Sequence, residues 1–343
     1  MKYNLLGNTG LFVSQFCLGG MTFGGNENAG MWKNIGQLQQ AEVDGLIKEA
    51  HDSGVNFIDT ADIYSFGESE RLIGQSIRNL GIRRKDIVIA TKTGGPMSQR
   101  QNDRGASRAH ILASIEQSLK RLQTDYIDLY QIHINDSNTP LEETIDTLDS
   151  LVQRGLIRYF GLSNWRAGRI AKANGISMAR GKSRFDSLQA HYSIASRDIE
   201  REIIPLVREE KMGLLIWSPL AGGLLSGKFG PGTKDEKNSR RSHFDFPPVN
   251  KDRAWACIEE MRKVASVHRT SVAQIALAWI LSETAVSSII VGAKKVEQLK
   301  DNLKAGEIEL SPAEHERLNA VSELPIEYPE WMIQMQEQEK ANS

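Results

Sequence analysis

Cysteine is scarce in this sequence, with only Cys17 and Cys257 among 343 residues. Two cysteines exclude a disulfide framework and a zinc site built from cysteine, and they fit a reducing compartment. Net charge is nearly absent as well, because 42 lysines and arginines balance 43 aspartates and glutamates. A protein without an overall basic field is not expected to bind nucleic acid or an anionic membrane surface.

Long hydrophobic runs are also missing. The most apolar stretch, residues 212–225, is interrupted by Pro219 and three glycines and is shorter than the roughly 18–20 apolar residues of a membrane span. The N-terminus carries a lysine, but no apolar run of the roughly 7–15 residues found in signal peptides follows it. These absences predict a cytoplasmic protein without a membrane partner, and nothing in the sequence indicates a metal site.

Short β-branched runs alternate regularly with longer amphipathic runs along the chain. Most of the short runs are continuously apolar and end in polar residues, which is typical of parallel strands covered by helices. The predicted strands are residues 15–20, 55–61, 86–93, 126–133, 157–164, 186–193, 213–220 and 287–293.

The amphipathic runs between these strands predict helices. In residues 109–122, apolar side chains recur at intervals of three and four, with charges on the other side. In residues 140–155, Pro140 is typical of a helix start and Thr139 is suited to cap it. The other predicted helices are residues 41–53, 69–79, 203–211, 253–268, 272–282 and 296–303, with a weaker and shorter one at 166–175.

Eight consecutive strand–helix units predict an α/β fold of the closed (β/α)8 TIM barrel type, formed by residues 1–343 as one domain. A doubly wound sheet is disfavoured because the chain has no G-x-G-x-x-G fingerprint. Residues 1–14 predict an N-terminal β-hairpin whose turn is Asn8-Thr9-Gly10. The polar, proline- and glycine-containing residues 229–250 predict a long loop after strand seven, on the face where barrels carry their active sites.

Four polar residues follow or end three successive predicted strands. They are Asp59, Tyr64, Lys92 and His133. A barrel would bring them to one place, where Lys92 would need a carboxylate partner such as Asp59. A nearby ammonium lowers the pKa of a tyrosine hydroxyl, so Tyr64 would become a proton donor to a carbonyl oxygen. His133 would donate a hydrogen bond that orients the same carbonyl.

Each of these residues also has a purely structural interpretation. Asp59 and Lys92 are compatible with an ion pair in the barrel rim, and Tyr64 with an aromatic residue that covers the core. A single histidine such as His133 is more often a hydrogen-bonded core residue than a catalyst. The occurrence of all four on neighbouring strand ends favours the catalytic interpretation.

The ordered motifs DTADIYSFGESE (59–70), ATKTG (90–94) and QIHIND (131–136) resemble the aldo-keto reductases. The resemblance extends through NLLGNTGLFVSQFCLGGMTFGG, GLSNW, WSPLAGGLLSGK and VGAKKVEQLKDN, and so covers almost the whole chain. It is strongest to the branch of aryl-alcohol dehydrogenase-like reductases and potassium channel β-subunits. It implies a barrel enzyme in which Tyr64 is the general acid, Lys92 and Asp59 tune it, and His133 orients the substrate.

The resemblance also implies an NADP(H) site. Ser163, Asn164 and Gln189 would hold the nicotinamide carboxamide, and Trp217 would stack on the ring. Small residues after Trp217, together with Lys228 and Arg240, would contact the pyrophosphate and phosphates. Lys294 would read the 2′-phosphate, which favours NADPH over NADH. The full implied cofactor set is Gly20, Met21, Asp59, Ser163, Asn164, Gln189, Trp217, Ser218, Pro219, Leu220, Ala221, Gly222, Lys228, Arg240, Gly292, Lys294, Gln298, Asp301 and Asn302.

Parts of the sequence suggest two other functions. Residues 222–228 nearly match a nucleoside-triphosphate phosphate loop, but Phe229 replaces the Ser or Thr that would bind magnesium. The second alternative is an NADPH-binding regulatory or redox-sensing subunit with negligible turnover, like the channel β-subunits. His133 argues against it, because those subunits lack that histidine. The expected partner is therefore a small aldehyde or ketone.

The identity of the substrate and the oligomeric state are left open by the sequence. An aromatic-walled pocket would suit aryl or bulky carbonyls, although the same side chains could simply pack between loops. The candidate pocket residues are Met21, Phe23, Trp32, Tyr64, Phe66, Trp165 and Phe244.

Overall fold

The computed structural model describes residues 1–25, 30–228, 241 and 244–341. Eight parallel strands close into a barrel, in which each strand pairs with its neighbours in chain order and the last pairs with the first. This confirms the predicted barrel and its eight strands. The barrel strands are β3 (Phe16–Gly19), β4 (Phe57–Asp59), β5 (Val88–Thr93), β6 (Ile127–Ile132), β7 (Ile157–Ser163), β8 (Ser187–His191), β9 (Gly213–Trp217) and β10 (Val286–Val291).

The predicted N-terminal hairpin is also present. Strands β1 (Tyr3–Leu5) and β2 (Phe12–Ser14) pair antiparallel. In the turn, the amide of Thr9 donates to the carbonyl of Leu6 at 3.3 Å. Gly7, at φ +57°, lies so close to the start of β9 that an added Cβ would be 2.4 Å from the backbone nitrogen of Gly213. The hairpin therefore packs against the amino end of the barrel.

The helices lie outside the barrel and mostly follow the predicted pattern. They are α1 (Trp32–Ile35), α2 (Gln40–Asp52), α3 (Glu68–Asn79), α4 (Arg108–Leu122), α5 (Leu141–Gln153), α6 (Ala167–Ala179), α7 (Ile199–Glu209), α8 (Lys251–His268), α9 (Val272–Leu281), α10 (Val296–Leu303), α11 (Pro312–Ser322) and α12 (Glu330–Ala341). Among the described residues, no single helix could span a membrane, although the sharply bent pair α8 and α9 together meets the length and composition requirement.

Three helix predictions need correction. The helix predicted to be short at 166–175 continues to Ala179, and the one predicted from residue 203 already begins at Ile199. Thr139 does not cap α5, because its hydroxyl donates to Asp136 Oδ2 at 2.7 Å. Pro140 occupies the cap position instead, and the helix begins one residue later.

Alternation along the strands places the polar residues of the barrel interior. Val88 and Ala90 of β5 lie in the apolar cluster inside the barrel, together with Phe57 of β4 and Leu129 of β6. Because strand side chains alternate between faces, the residue two positions further along each strand also points inward. Those residues are Lys92, Asp59 and Gln131. The barrel interior is therefore apolar along most of its length and polar at the carboxyl ends of the strands.

Candidate active site

The four residues predicted for the site meet at the carboxyl end of the barrel. Lys92 Nζ donates to Asp59 Oδ2 at 2.6 Å, to the carbonyl of Thr60 at 2.8 Å and to the hydroxyl oxygen of Tyr64 at 3.3 Å. An ammonium has three donors, so these acceptors use all of them. Of these three acceptors, the hydroxyl of Tyr64 is the one that also carries a proton, which it can donate to another group.

Lys92 is fully buried, yet its pKa is raised above the ordinary value. Burial acts to lower the pKa of this lysine, but the charge of Asp59 and the hydroxyl of Tyr64 raise it by more. The lysine is therefore a permanent cation at neutral pH. A cation in a buried position exerts a strong field on the neighbouring phenol, because little water screens it.

A tight turn holds Tyr64 against this cation. The residues after it, Ser65, Phe66 and Gly67, all have positive φ, and Gly67 has φ +91°. An added Cβ at Gly67 would be 2.5 Å from Cδ of Arg121, which is in turn paired with the fully buried Glu70 at 2.6 Å. The turn thus rests directly on the side chain of a residue in α4.

His133 follows β6 and forms an edge contact with the ring of Tyr64, at 5.7 Å between centroids. Burial, and to a smaller extent the charge of Lys92, lower the pKa of His133 to about 3. The imidazole is therefore neutral at working pH. Its Nδ1 atom is buried and has no hydrogen-bond partner among the described residues. Such an atom is suited to bonding a ligand or water.

Two glutamines on the far side of Asp59 complete the polar layer. Gln131 Nε2 donates to Asp59 Oδ1 at 3.1 Å, and Gln189 Nε2 donates to the same oxygen at 2.8 Å. Gln189 was predicted to bind the cofactor carboxamide, whereas Gln131 was not among the predicted residues. The inward alternation of β6 was the signal that could have identified Gln131.

The other carboxamide residues lie on neighbouring strand ends. Asn164 Nδ2 donates to Ser163 Oγ at 2.9 Å and accepts from Trp217 Nε1 through its Oδ1 at 3.0 Å. Trp217 stacks on His191, with 4.7 Å between ring centroids, and on Phe246, with 5.7 Å. Neither His191 nor Phe246 was predicted from the sequence.

The segment after Trp217 has an unusual backbone. Ser218, Ala221, Gly222 and Gly223 all have positive φ, with Pro219 and Leu220 between them. At Gly223 an added Cβ would meet nothing within 4 Å, so this backbone borders open space. Such space is what a phosphate chain lying along backbone amides requires. Lys228 is exposed at the end of the segment.

A buried arginine contacts this segment. Arg241 is buried; it donates to the carbonyl of Ala221 at 2.7 Å and pairs with Asp245. The preceding residue, Arg240, which was predicted to contact a phosphate, lies outside the described residues.

The last predicted cofactor positions lie after β10. Gly292 borders open space, and Lys294 Nζ donates to Gln37 Oε1 at 3.0 Å. The side chain of Gln298 accepts from the amide of Lys294 at 2.9 Å. Asp301 is bound by Ser271 and Gln274 of the α9 segment, so its carboxylate already has structural partners. Asn302 is buried next to it.

Gly20 and Met21 lie in a short turn after β3, where the carbonyl of Gly20 accepts from Ser69 Oγ at 2.7 Å. Met21 and Phe244 pack against the small cluster that contains Trp32 and Tyr64. Two of the aromatic residues predicted to line the pocket lie in the buried core instead. Phe23 is fully buried, and Trp165 packs on Phe185 in the main core.

Comparison with known proteins identifies the family. Residues 15–323 match the profile of the Aldo/keto reductase family. The chain belongs to this family. It is 35% identical to a probable voltage-gated potassium channel subunit beta of Oryza sativa, over 94% of this chain and 96% of that protein. It is 34% identical to a putative aryl-alcohol dehydrogenase of Schizosaccharomyces pombe, over 90% and 92%, and 31% identical to an aldo-keto reductase of Bacillus subtilis, over 96% of each.

Membership of the family and its oxidoreductase relatives make this aldo-keto reductase an oxidoreductase that acts on carbonyl or alcohol groups. Its members generally use NAD(P)H and small carbonyl substrates.

Proposed function

We propose that this aldo-keto reductase is a cytoplasmic, NADPH-dependent enzyme that reduces aldehydes or ketones to alcohols. The observation that carries the proposal is the buried contact of Lys92 with both Asp59 and Tyr64. A lysine at the end of an apolar strand is costly to bury, and a structural ion pair would not require a tyrosine hydroxyl as its third acceptor. General acid catalysis does require it.

When bound, the reduced nicotinamide supplies a hydride to the carbonyl carbon of the substrate. Tyr64 donates its phenolic proton to the carbonyl oxygen as negative charge develops there. Lys92 stabilises the phenolate that remains, and Asp59 keeps the lysine charged and fixed. His133, neutral because of its lowered pKa, orients the carbonyl through a hydrogen bond without a second proton transfer. In the reverse direction the phenolate accepts the proton of an alcohol.

The residues present fit the cofactor. Ser163, Asn164 and Gln189 would hold the carboxamide. Trp217, which also stacks on His191 and Phe246, would contact the nicotinamide ring. The open backbone at Gly223 and Gly292 would border the phosphate chain. Lys294 would contact a 2′-phosphate, which is the basis of the preference for NADPH.

A second candidate function is a regulatory subunit that binds NADPH and hardly turns it over. The 35% identity to the rice protein named as a probable channel subunit favours this alternative. The complete set of Asp59, Tyr64, Lys92 and His133 favours the enzyme, because a sensor needs no proton donor.

Steady-state kinetics with a panel of aromatic aldehydes and simple ketones, followed by NADPH absorbance, separates the two candidates. Cofactor affinity is measured in parallel by fluorescence titration. The enzyme predicts turnover of roughly 1 s⁻¹ or more on the better substrates. Tight NADPH binding with turnover far below that value on every carbonyl would contradict the enzyme and support the regulatory subunit.

A further inference from the structure

Asp59 divides its two carboxylate oxygens between different partners. Oδ2 accepts from Lys92 at 2.6 Å, while Oδ1 accepts from Gln131 at 3.1 Å and from Gln189 at 2.8 Å. A carboxylate can only accept, so both glutamines must turn their NH₂ groups toward it. Gln131 in turn accepts from Gln189 through Oε1 at 3.3 Å. The orientation of both amides is therefore fixed by the hydrogen bonds.

The chain of bonds is continuous and buried from β8 to the turn that follows β4. It runs from Gln189 through Gln131, Asp59 and Lys92 to Tyr64, and Gln131 and Lys92 are fully buried. Gln131 is the one member with no role in the function proposed above. A buried glutamine amide is costly unless its polar atoms are paired. Among the described residues, the side chain of Gln131 is paired with Asp59 and Gln189, which belong to the same series of hydrogen bonds.

We propose that Gln131 is a positioning residue for the reduction: its amide offsets part of the negative charge of Asp59, so that the field of Lys92 makes Tyr64 a stronger acid. This inference rests on the proposed reductase function. The physical basis is that Asp59 and Lys92 act on the phenol with opposite signs. A neutral donor on the carboxylate weakens the unfavourable contribution without removing the lysine's partner.

The other titratable groups around Tyr64 do not obscure this effect. Cys17 of β3 faces Asp59 and Lys92, and burial raises the pKa of its thiol well above the ordinary value, so it stays neutral. His133 is neutral because its pKa is lowered to about 3. Among the described residues, the charged groups that hydrogen bonds join to the phenol are therefore Lys92 and Asp59. Asp62, two residues before Tyr64, is buried, and burial together with the charge of Glu70 raises its pKa to about 8. Asp62 is the same in every protein compared below, so it does not account for a difference between them.

The test uses the full chain and the variants Gln131→Met and Gln131→Glu. Methionine has a similar volume but no donor, and glutamate replaces the donor with an acceptor. In the reduction direction, loss of rate at high pH reports the deprotonation of Tyr64. This loss of rate is the high-pH limb of the pH–rate profile. Gln131→Met is expected to move the limb to higher pH by about 0.5 to 1 pH unit and to lower kcat about tenfold. Gln131→Glu moves the limb further, and NADPH affinity of the Met variant stays within a few-fold.

Tyr130→Phe is the matched control. Tyr130 precedes Gln131 in β6, is fully buried and packs in the cluster between the barrel and its helices. Removing its hydroxyl disturbs the same strand from the opposite face, so the limb should stay where it is in the wild-type enzyme. An unshifted limb in Gln131→Met, with or without a uniform loss of rate, would overturn the inference. If Gln131→Glu does not fold, Gln131→Met alone decides.

Ultraviolet titration of the phenol in the cofactor-free protein provides a readout that needs no turnover. The signal of Tyr64 is the difference between each protein and the same protein carrying Tyr64→Phe. The pKa of Tyr64 is expected to be higher in Gln131→Met than in the wild type, and equal values would overturn the inference. If the wild type lacks reductase activity but this shift is present, the proposed function fails while the electrostatic role of Gln131 stands.

Discussion

The ammonium of Lys92 lies 3.3 Å from the hydroxyl of Tyr64 and 4.8 Å from the centroid of its ring. The contact is buried, and Asp59 holds the same ammonium from the other side at 2.6 Å. This geometry connects the acidity of the phenol to the stability of a buried ion pair. Changes to one member should therefore affect both catalysis and folding, but in separable ways.

The first prediction concerns that ion pair. Lys92→Met leaves Asp59 buried without its cation, so the free energy of unfolding should fall by roughly 3–5 kcal/mol and kcat by at least about 100-fold. Adding Asp59→Asn removes the unpaired charge, and the double variant should regain most of the stability but none of the activity. Urea unfolding and steady-state kinetics measure the two effects. A double variant as unstable as the single one would contradict the account.

His133 should titrate far below neutral pH. Its pKa is lowered to about 3 in the folded protein, below the unfolded value of about 6.5. The neutral ring is therefore favoured by the fold, and its contribution to stability is complete above about pH 6.5 and is lost as the pH falls towards 3. NMR titration, assigned with His133→Gln, should show no inflection of this ring between about pH 5 and 8. An inflection near pH 6.5 would show that the ring is hydrated and free to charge.

Gly67 should be essential for the position of Tyr64. In Gly67→Ala, alanine must adopt a φ of +91°, which is strained for a residue with a side chain, and its Cβ would lie 2.5 Å from Cδ of Arg121. Displacement of the neighbouring Tyr64 by even about 1 Å can lower kcat by about 100-fold. Gly81→Ala is the matched control, because Gly81 also has positive φ, +63°, but an added Cβ meets nothing within 4 Å. The control should lose stability only, by about 1 kcal/mol, and equal kcat values for the two variants would refute the prediction.

Lys294 should discriminate between the two dinucleotides. Lys294→Met removes the cation proposed to contact the 2′-phosphate, so the Kd for NADPH should rise about tenfold while that for NADH stays unchanged. Lys300→Met is the control, since Lys300 lies on α10, the helix that follows Lys294, and pairs with Glu49 at 3.2 Å. Fluorescence titration of the wild type and the two variants with both cofactors gives the six constants needed. Equal losses for NADPH and NADH would mean that Lys294 does not read the phosphate.

The sequence allowed the barrel and the meeting of the four polar residues to be predicted, because strand alternation and parallel order place strand ends on one rim. Gln131 was harder to find. It lies inside an apolar strand, and its partner Asp59 is 72 positions away along the chain. Asp59 lies on β4 and Gln131 on β6, and the two inward side chains meet because both strands pair with β5 in the curved sheet.

Arg241 was not predicted, because no periodicity in the sequence indicates that its side chain reaches the carbonyl of Ala221. The cap of α5 could not be predicted either, because two groups compete for the hydroxyl of Thr139: the amino end of the helix and the carboxylate of Asp136. Thr139 binds Asp136 instead of the helix end. Local propensity could not reveal that competition, because both partners were plausible from the sequence.

The most direct measurement of the central claim is single-turnover reduction of an active aldehyde by Tyr64→Phe with saturating NADPH. The ring stays in place without its proton, so the rate should fall by about 100- to 10,000-fold while the Kd for NADPH stays within a few-fold. A rate within about threefold of the wild type would show that another group protonates the carbonyl oxygen, and the role assigned here to Tyr64 and Lys92 would be wrong.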